Sequence, residues 1–477
     1  MKLFSKYLKS ALFLGLISVL FSCNEEVDTP PSADPSSDVA VNRWIKDVMD
    51  EVYFWLADMK TPISEDSAPE DYFESLLNRP TDRFSAIYPN YDELLNNLGG
   101  VSLDAGYEFN LFLESQGSEN IIAEISYVKK NSPAQEAGLV RGDIITEIND
   151  TRITIQNYLD LLSVIDQTHT LNYRSFDEGL GAYLDQEALT LNPIVFSENP
   201  NFLDSIYTIE NEKIGYAVYH FFTPGPNLNS DIYDNQMDQI FERFKLEGIN
   251  HLIIDFRYNT GGFVSSAINL ASLIAPNIDD QDVFSKTKYN DFLMQFEELQ
   301  NIQSTFLTKS QNLGQSLTGN RIYILTSSRT ASASELVING LRPYMDVFII
   351  GDKTVGKNVG SIPFEDEENP ENLYGILPIV TQSSNSLDQS DYSNGFIPNI
   401  EALERTERLQ AFGNIDELLL RTAIQEITGT PSGSRLQKLD RIDFASTLDK
   451  KIRTGRMIES PNKDILHSVQ KINNPFK

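Results

Sequence analysis

The sequence predicts a multidomain α/β protein in which a small helical domain and a β-rich domain precede an α/β domain with a mixed sheet covered by helices. The 477 residues exceed what one hydrophobic core accommodates, because single cores stop growing near ~250–300 residues. Apolar residues recur at helical spacing over Val41–Leu56, and both tryptophans lie in this stretch. Beyond Phe196, apolar runs of strand length, among them 376–381, alternate with helical segments such as Val264–Ile274, which is typical of a sheet covered by helices.

The helical domain is predicted over residues 40–95. A second helical stretch lies near Tyr72–Leu77, after the one that contains both tryptophans. An aromatic stripe at helical spacing most often belongs to a hydrophobic core. We therefore interpret the tryptophans as packing residues and not as a ligand site.

The composition excludes several classes of function. The chain has 69 acidic and 38 basic residues, a formal net charge of -31, whereas nucleic-acid binding depends on clustered Lys and Arg. A single cysteine excludes a disulfide framework, and the four histidines lack the spacing of metal ligands. We predict no metal, no cofactor and no nucleic-acid partner.

Residues 1–22 are predicted to be an export signal, since lysines precede an apolar stretch over 11–21 that is too short to span a bilayer. The run Leu20-Phe21-Ser22-Cys23 resembles the lipobox of bacterial lipoproteins, in which the cysteine carries the lipid. This resemblance implies a lipid anchor at Cys23, which would hold the protein in the cell envelope, at the outer membrane, facing the periplasm or the surface. A plain secretory signal with an incidental cysteine is the alternative. Residues 23–39, rich in Pro, Ser and Asp, are predicted to be a tether.

The β-rich domain is predicted over residues 97–180. A strand ending at Val128, a short helix that begins with Ser132 and Pro133, and a Gly-Asp turn into an alternating strand follow in order. The run S-P-A-x-x-A-G-L-x-x-G-D-x-I at 132–145 resembles PDZ domains of the bacterial protease-associated type.

PDZ domains bind an extended peptide as an added strand and hold its terminal carboxylate with backbone amides. The resemblance implies that this site lies at the loop containing Gly106, Tyr107 and Phe109. Gly106 would allow close approach of the peptide, and the two aromatic side chains would line a pocket. A hairpin strand without a ligand is the alternative.

Three segments of the α/β domain, predicted over 196–430, carry polar residues near strand ends. They are Asp255–Gly262, Thr330–Glu335 and Gly351–Lys357. A Gly-Gly pair after a buried strand lets backbone N–H groups point into a cleft, as an oxyanion hole requires. Each segment also has a structural interpretation: a buried ion pair in the first, an S-x-x-E capping box in the second and a surface loop in the third.

In this order the segments resemble the C-terminal processing (tail-specific) serine protease family. Members carry a D-L-R-x-N-x-G-G segment, a serine in S-A-S-E and a lysine twenty-five residues later, and here Lys357 follows Ser332 by 25. The resemblance implies that Ser332 is the nucleophile, with Lys357 as the general base. It also implies that backbone amides of Gly261, Gly262 and Ala333 form the oxyanion hole. Within the same segment, the rival nucleophile is Ser334.

A lysine base agrees with the sequence, because no histidine lies within 80 residues of Ser332. A serine hydroxyl needs an adjacent base. Lysine can act as one if desolvation lowers its pKa from ~10.4 towards ~7–8. The apolar strand 347–350, which leads towards Lys357, predicts such burial.

Two positions differ from the family pattern. Ser361 stands where many relatives carry a glutamine that orients the lysine, and we assign this orienting role to Ser361. Pro343 stands where some relatives carry an acidic residue. Neither difference removes the nucleophile, the base or the oxyanion donors.

We therefore predict a lipid-anchored serine endopeptidase with a Ser-Lys dyad that cleaves unstructured C-terminal regions of envelope or extracellular proteins through an acyl-enzyme. Its partners would be polypeptides with free C-termini and, through the anchor, a membrane. A non-catalytic peptide-binding lipoprotein scaffold of the same fold is the main alternative. An acyl-transfer enzyme that acts on small esters or glycans is another.

Residues 431–477 are predicted to be a basic C-terminal extension. They hold ten Lys/Arg and five Asp/Glu, so their net charge of +5 is opposite to that of the remaining chain. We interpret them as a solvated extension that packs on acidic surface.

Overall fold

The computed structural model describes residues 34, 36–226, 230–430, 439, 441–446 and 457–458. The predicted export signal, Cys23 and most of the tether lie outside these residues. Among the described helices, none combines the length and the apolar character that crossing a bilayer demands.

The N-terminal region is helical, as predicted, and comprises α1 (Asp38–Val52), α2 (Pro69–Leu76), β1 (Ala86–Tyr88) and α3 (Tyr91–Leu98). α1 begins after Ser37, whose side chain accepts a hydrogen bond from the N–H of Ala40. Its buried face includes Ile45 and packs in one cluster with Tyr289 and Ile362 of the α/β domain. The helical region therefore shares a hydrophobic core with the larger domain, and both tryptophans pack against that core.

The β-rich domain has the predicted order of strand, short helix, turn and strand. Its elements are β2 (Val101–Asp104), β3 (Tyr107–Leu113), β4 (Ile121–Val128), α4 (Pro133–Glu136), β5 (Ile144–Ile148), β6 (Thr151–Arg152), α5 (Tyr158–Leu162), β7 (His169–Asp177), β8 (Ala182–Asp185), β9 (Leu189–Leu191) and β10 (Ile194–Ser197). An antiparallel sheet contains the strands β3-β4-β5-β7-β8 in this order. One further strand, which comes from the C-terminal extension and is described below, pairs with β3 at the edge of the sheet. Ser132 caps α4 by accepting a hydrogen bond from the N–H of Gln135 at 3.3 Å.

The α/β domain alternates strands and helices. Its elements are β11 (Asn201–Ile209), β12 (Glu212–Tyr219), α6 (Ile232–Glu247), β13 (His251–Asp255), β14 (Gly262–Phe263), α7 (Val264–Ile274), β15 (Val283–Lys288), β16 (Ile302–Thr305), β17 (Arg321–Thr326), α8 (Ala333–Leu341), β18 (Asp346–Gly351), β19 (Val359–Ser361), β20 (Phe364–Glu365), β21 (Gly375–Leu377), β22 (Ile379–Ser384), β23 (Ile400–Glu401) and α9 (Leu418–Thr428).

The central sheet runs in the order β11-β12-β13-β17-β18-β23. β11 and β12 are antiparallel, whereas the other neighbours are parallel, so the predicted mixed sheet is confirmed. Helices α6, α7 and α8 cover one face and α9 covers the other, for example with Leu336 packed in the core of the first face and Leu419 in that of the second. The ends of β13, β17 and β18 carry the three polar segments to one edge of the sheet.

One strand prediction was wrong. The apolar run 376–381 was expected to be a single strand, but it divides into β21 and β22. Pro378 separates the two strands, since proline has no N–H to donate to a ladder.

The described residues of the C-terminal extension form β24 (Asp443–Ser446) and β25 (Met457–Ile458). β24 pairs antiparallel with β3, and β25 lies between β14 and β19, parallel to both. The interpretation of this segment as a solvated extension is therefore wrong for these residues. Their backbone groups pair with open sheet edges, which offer unpaired N–H and C=O groups.

Candidate active site

Ser332 lies in a strained turn between β17 and α8. Its φ is 63° and its ψ is -116°, a conformation that costs a non-glycine residue about 1–3 kcal/mol. The residue is fully buried, and its Oγ has no hydrogen-bond partner among the described residues. Backbone strain of this kind clusters at functional sites, and in α/β-hydrolases a strained strand-to-helix turn presents the nucleophilic serine.

The buried carboxylate of Glu335 connects Ser332 to the segment that contains Lys357. Its Oε2 accepts the N–H groups of Ser332 at 2.9 Å and Lys357 at 2.8 Å. Its Oε1 accepts the N–H of Gly356 at 2.7 Å and the hydroxyl of Thr354. Burial raises the pKa of the Glu335 carboxyl, and these hydrogen bonds oppose the rise. The Ser-x-x-Glu pair occupies capping-box positions, but it also holds two loops together, which a helix cap alone does not require.

The Lys357 side chain is buried, with 1% of the residue exposed. Its Nζ lies 4.9 Å from the centre of the Phe84 ring, which the N-terminal region supplies. Next to it, the Arg83 guanidinium donates to the carbonyl oxygens of Val355 and Gly356 at 3.3 and 3.2 Å. The expected burial of this lysine is therefore present, and part of it comes from outside the α/β domain.

The Gly-Gly segment is tied to the Ser332 turn through Asn259. The Asn259 carbonyl oxygen accepts the N–H of Ala331 at 3.1 Å and the Ser334 hydroxyl at 3.2 Å. The Asn259 side-chain oxygen accepts the N–H of Gly261 at 2.9 Å. Gly261 N–H and Ser334 Oγ, both candidate catalytic groups in the sequence, thus each have a structural hydrogen bond.

Gly262 and Ala333 are the other two residues whose amides were predicted to be oxyanion donors. Gly262 has a φ of 143°, and a Cβ atom there would lie 1.9 Å from the carbonyl oxygen of Phe222, so only glycine fits. Ala333 is the first residue of α8, where the N–H has no acceptor within the helix. Ala333 directly follows Ser332, and Gly262 belongs to the segment that Asn259 ties to the Ser332 turn.

Asp255 and Arg257 form the buried ion pair that the structural interpretation proposed. The Arg257 guanidinium contacts Asp255 at 2.6 Å, Glu417 at 2.5 Å and Glu404 at 2.8 Å. Arg141 of the β-rich domain also pairs with Glu404. Although burial alone would raise it, the two guanidinium groups hold the pKa of Glu404 at about 2. This cluster joins the β-rich domain to the segment that leads into the Gly-Gly pair.

Ser361 is buried in β19, and its Oγ has no hydrogen-bond partner among the described residues. The orienting bond that we predicted between Ser361 and Lys357 is therefore not formed in this structure. A bulge at Gly360/Ser361 interrupts the pairing of β19 with β22.

The predicted peptide-binding residues of the β-rich domain lie at the start of β3. Gly106 has a φ of 93°, and a Cβ there would lie 2.0 Å from the Cβ of Ser132, so its close contact is with α4. Tyr107 and Phe109 are buried in the domain core, and the Tyr107 hydroxyl bonds to His169 at 2.8 Å. The backbone of β3 pairs with the backbone of the C-terminal extension.

Sequence reasoning missed two contributors to the site, Glu335 and Phe84, and also the strand β25 that lies next to the site. The spacing of Glu335 was visible, but it also fits an ordinary helix cap. Phe84 and β25 reach the site through contacts more than 90 residues apart in sequence, for which local patterns carry no signal. Among the described residues, no group of three or more His, Cys, Asp and Glu could hold a metal ion.

Three segments of the chain match models of known families. Residues 213–402 match Peptidase family S41, residues 40–86 the Peptidase S41 N-terminal domain and residues 124–171 the PDZ domain. The three matches follow the three regions of the fold in order.

Individual proteins are similar over comparable stretches. The carboxyl-terminal-processing protease of Picosynechococcus sp. is 25% identical over 317 residues, which are 64% of this chain and 67% of that protein. The chloroplastic C-terminal processing peptidase of Tetradesmus obliquus is 20% identical over 236 residues, which are 48% of this chain and 46% of that protein. The chain therefore spans only about half the length of the latter relative.

Among solved structures, one from Bacteroides fragilis NCTC 9343 named "Putative S41 protease" is similar, with 29% sequence identity and a TM-score of 0.68. The match covers 82% of this chain and 98% of that one.

Proposed function

The chain belongs to peptidase family S41, and from that premise we propose that it is a serine endopeptidase with Ser332 as nucleophile and Lys357 as general base. The observation that carries the proposal is the Ser332 hydroxyl, which is buried, unbonded among the described residues and held on a strained turn. A single carboxylate fixes the backbone of this turn beside that of Lys357.

In the proposed reaction, Ser332 Oγ attacks the carbonyl carbon of the scissile peptide bond while its proton passes to the neutral Lys357 amine. The N–H groups of Gly262 and Ala333 stabilise the negative charge that develops on the carbonyl oxygen. Lys357 then returns the proton to the leaving amine, and an acyl-enzyme remains. Water, deprotonated by the same lysine, hydrolyses the ester and releases the acid.

Burial of Lys357 supports this role, because removal from water disfavours the charged ammonium. The Phe84 ring and the surrounding core exclude solvent from the amine. Gly261 N–H is a weaker candidate for the oxyanion hole, since Asn259 already accepts from it.

We propose that the substrates are polypeptides with unstructured C-terminal regions. The β-rich domain matches a PDZ domain, a module that captures extended peptides by strand addition. We also propose that a lipid on Cys23 anchors the protein in the cell envelope. Mass spectrometry of the N-terminal peptide from wild type and Cys23→Ser tests this anchor.

The protease proposal is tested by comparing wild type with Ser332→Ala on an unstructured polypeptide. We expect cleavage by wild type and a loss of at least ~10³-fold in the variant. Ser334→Ala is the matched control, because its hydroxyl bonds to Asn259 and it should retain most activity. Equal rates for wild type and Ser332→Ala would refute the proposal.

The role of Lys357 is tested by the pH dependence of cleavage. With Lys357 as the base, the wild-type rate rises with pH as the amine loses its proton, and Lys357→Ala abolishes both the rate and this dependence. A residual rate in Lys357→Ala with the wild-type pH profile would exclude lysine as the base.

A non-catalytic peptide-binding scaffold is the second candidate. The unbonded Ser361 hydroxyl favours it, since Ser361 does not hold the lysine in the orientation that we assigned to it. In the absence of substrate, catalytic hydrogen bonds are often long or poorly aligned, and they tighten when substrate binds. Peptide binding without cleavage by wild type would support the scaffold.

A further inference from the structure

The C-terminal extension fills a strand-wide gap at the edge of the candidate active site. β14 and β19 are not paired with each other, and β25 lies between them. Met457 is opposite Gly262, and Ile458 is opposite both Phe263 and Ser361. The backbone of the extension therefore occupies a strand position directly beside the Gly-Gly segment.

The side chain of Ile458 is buried in an apolar pocket. The residue is 1% exposed and packs in one cluster with Leu94 and Leu98 of α3, Phe263 and Leu377. Three regions of the chain thus build this pocket: the helical N-terminal region, β14 at the end of the Gly-Gly segment, and β21. An extended peptide with an apolar side chain at this position fits the site.

The same extension also adds a strand to the β-rich domain. The N–H of Leu113 in β3 donates to the carbonyl of Ile442 at 3.2 Å, and the antiparallel pairing continues through Ser446. Ala445 packs against the domain core, and the centre of the Phe444 ring lies 4.9 Å from the centre of the Tyr158 ring on α5. Strand addition beside a helix is how PDZ modules hold peptides.

An ion pair fixes the start of this strand. Arg441 pairs with Glu124, a carboxylate that is almost completely buried, and its guanidinium lies 5.2 Å from the centre of the Phe112 ring. An unpaired buried carboxylate is costly, so Glu124 favours a peptide that brings a cation. The basic extension supplies one.

We propose that the extension is an intramolecular peptide ligand of both sites and that it competes with polypeptide substrates for the strand position between β14 and β19. The proposal implies that this position binds an extended peptide with an apolar side chain in the Ile458 pocket. It rests on the proposed protease function for its kinetic consequence, whereas the binding itself can be measured without catalysis.

Kinetics of the full chain test the competition. Ile458→Asp should release β25 and lower the KM for an unstructured polypeptide by about 10- to 100-fold, since burial of one isoleucine shifts an equilibrium by about that factor. kcat should not change, because the extension competes only for the substrate-free site and is absent from the enzyme–substrate complex. Ile63→Asp, which replaces an isoleucine that is 47% exposed, is the matched control. An unchanged KM in Ile458→Asp would overturn the proposal.

A synthetic peptide that spans residues 439–460 gives a second test. Added to the Ile458→Asp protein, it should inhibit cleavage competitively, whereas a peptide that carries the same Asp should not. Equal inhibition by both peptides, or by neither, would contradict an apolar pocket. If Ile458→Asp does not fold, Arg441→Glu replaces it, because this change repels Glu124 and should release the strand from the other site.

Amide hydrogen exchange separates this proposal from the protease function. In a Ser332→Ala background, where no cleavage occurs, Ile458→Asp should lose protection at Phe263 and in 457–458 while α7 keeps its protection. If no variant cleaves any peptide but this loss is seen, the protease function fails and the internal ligand stands. Identical exchange in both proteins would overturn the internal ligand alone.

Discussion

Replacing Glu335 by glutamine tests the carboxylate that connects the two predicted catalytic segments. Each of its oxygens accepts two hydrogen bonds, and the side chain is fully buried. An amide keeps the shape but has only one acceptor oxygen. In either orientation, its NH2 group faces two donors.

The less damaging orientation keeps the bonds to the N–H groups of Ser332 and Lys357. The NH2 group then faces Gly356 N–H and the Thr354 hydroxyl, and two bonds are lost. A hydrogen bond to a charged group contributes about 1.5–3 kcal/mol, so Glu335→Gln should lower the free energy of unfolding by about 3–6 kcal/mol. This is a large part of the ~5–15 kcal/mol that stabilises a typical folded protein.

In Glu335→Gln, the catalytic rate should fall more than the affinity for substrate. The loop that ends at Lys357 loses two of its contacts to the carboxylate, and a displacement of about 1 Å at a reacting group costs roughly 100-fold in rate. We therefore expect a kcat about 100-fold lower with little change in KM.

The assay is urea unfolding followed by circular dichroism, together with kcat and KM for an unstructured polypeptide. Glu371→Gln is the matched control, because Glu371 is exposed and its change should alter the unfolding free energy by less than about 0.5 kcal/mol. If Glu335→Gln unfolds at the same urea concentration as Glu371→Gln with the same kcat, the carboxylate does not hold the site together.

Three further predictions concern charge and backbone strain. Burial raises the pKa of Asp234 to about 7. Between pH 3.8 and 7 the folded protein therefore holds a proton on this carboxyl that the unfolded chain has released. As a result, the free energy of unfolding falls by at most about 4 kcal/mol as pH rises through this range. Asp234→Asn should remove this slope in urea titrations across that range. Arg141→Met should lower the free energy of unfolding by about 1.5–3 kcal/mol at neutral pH, because Glu404 loses one of its two guanidinium partners and keeps only Arg257. Since the pKa of Glu404 is held at about 2, the difference from wild type should shrink in acid titrations as pH falls from 4.5 towards 2. Gly262→Ala should lower kcat by at least ~10²–10³-fold in steady-state assays, since its Cβ would displace the Phe222 carbonyl that now lies 1.9 Å from that position.

The local patterns of the sequence determined the elements and their order. α7 has the bounds that its apolar spacing predicted, and the Ser132-Pro133 start of α4 was readable from capping rules. These patterns depend on neighbours within a few residues, so a single chain displays them. Pro378 was readable too, but the apolar run around it concealed the break in the strand.

The three polar segments could be predicted to meet because parallel strands end at one edge of a sheet. The spacing of Ser332 and Lys357 identified the pair, and family resemblance supplied their roles. How they are held was not predictable: a capping-box glutamate and one that joins two loops have the same spacing in sequence. Only the approach of Gly356 and Lys357 to Glu335 distinguishes them.

The sequence by itself determined the three-region order and the mixed sheet, because these depend on short-range periodicity, and its resemblance to a protease family supplied the candidate nucleophile and base. The tertiary structure alone decided the positive φ of Ser332, the Phe84 ring over Lys357 and the two strands of the extension. Each of these depends on segments distant in sequence and on unpaired sheet edges. A stretch as short as Met457–Ile458 becomes a strand only because two edges lie on either side of it.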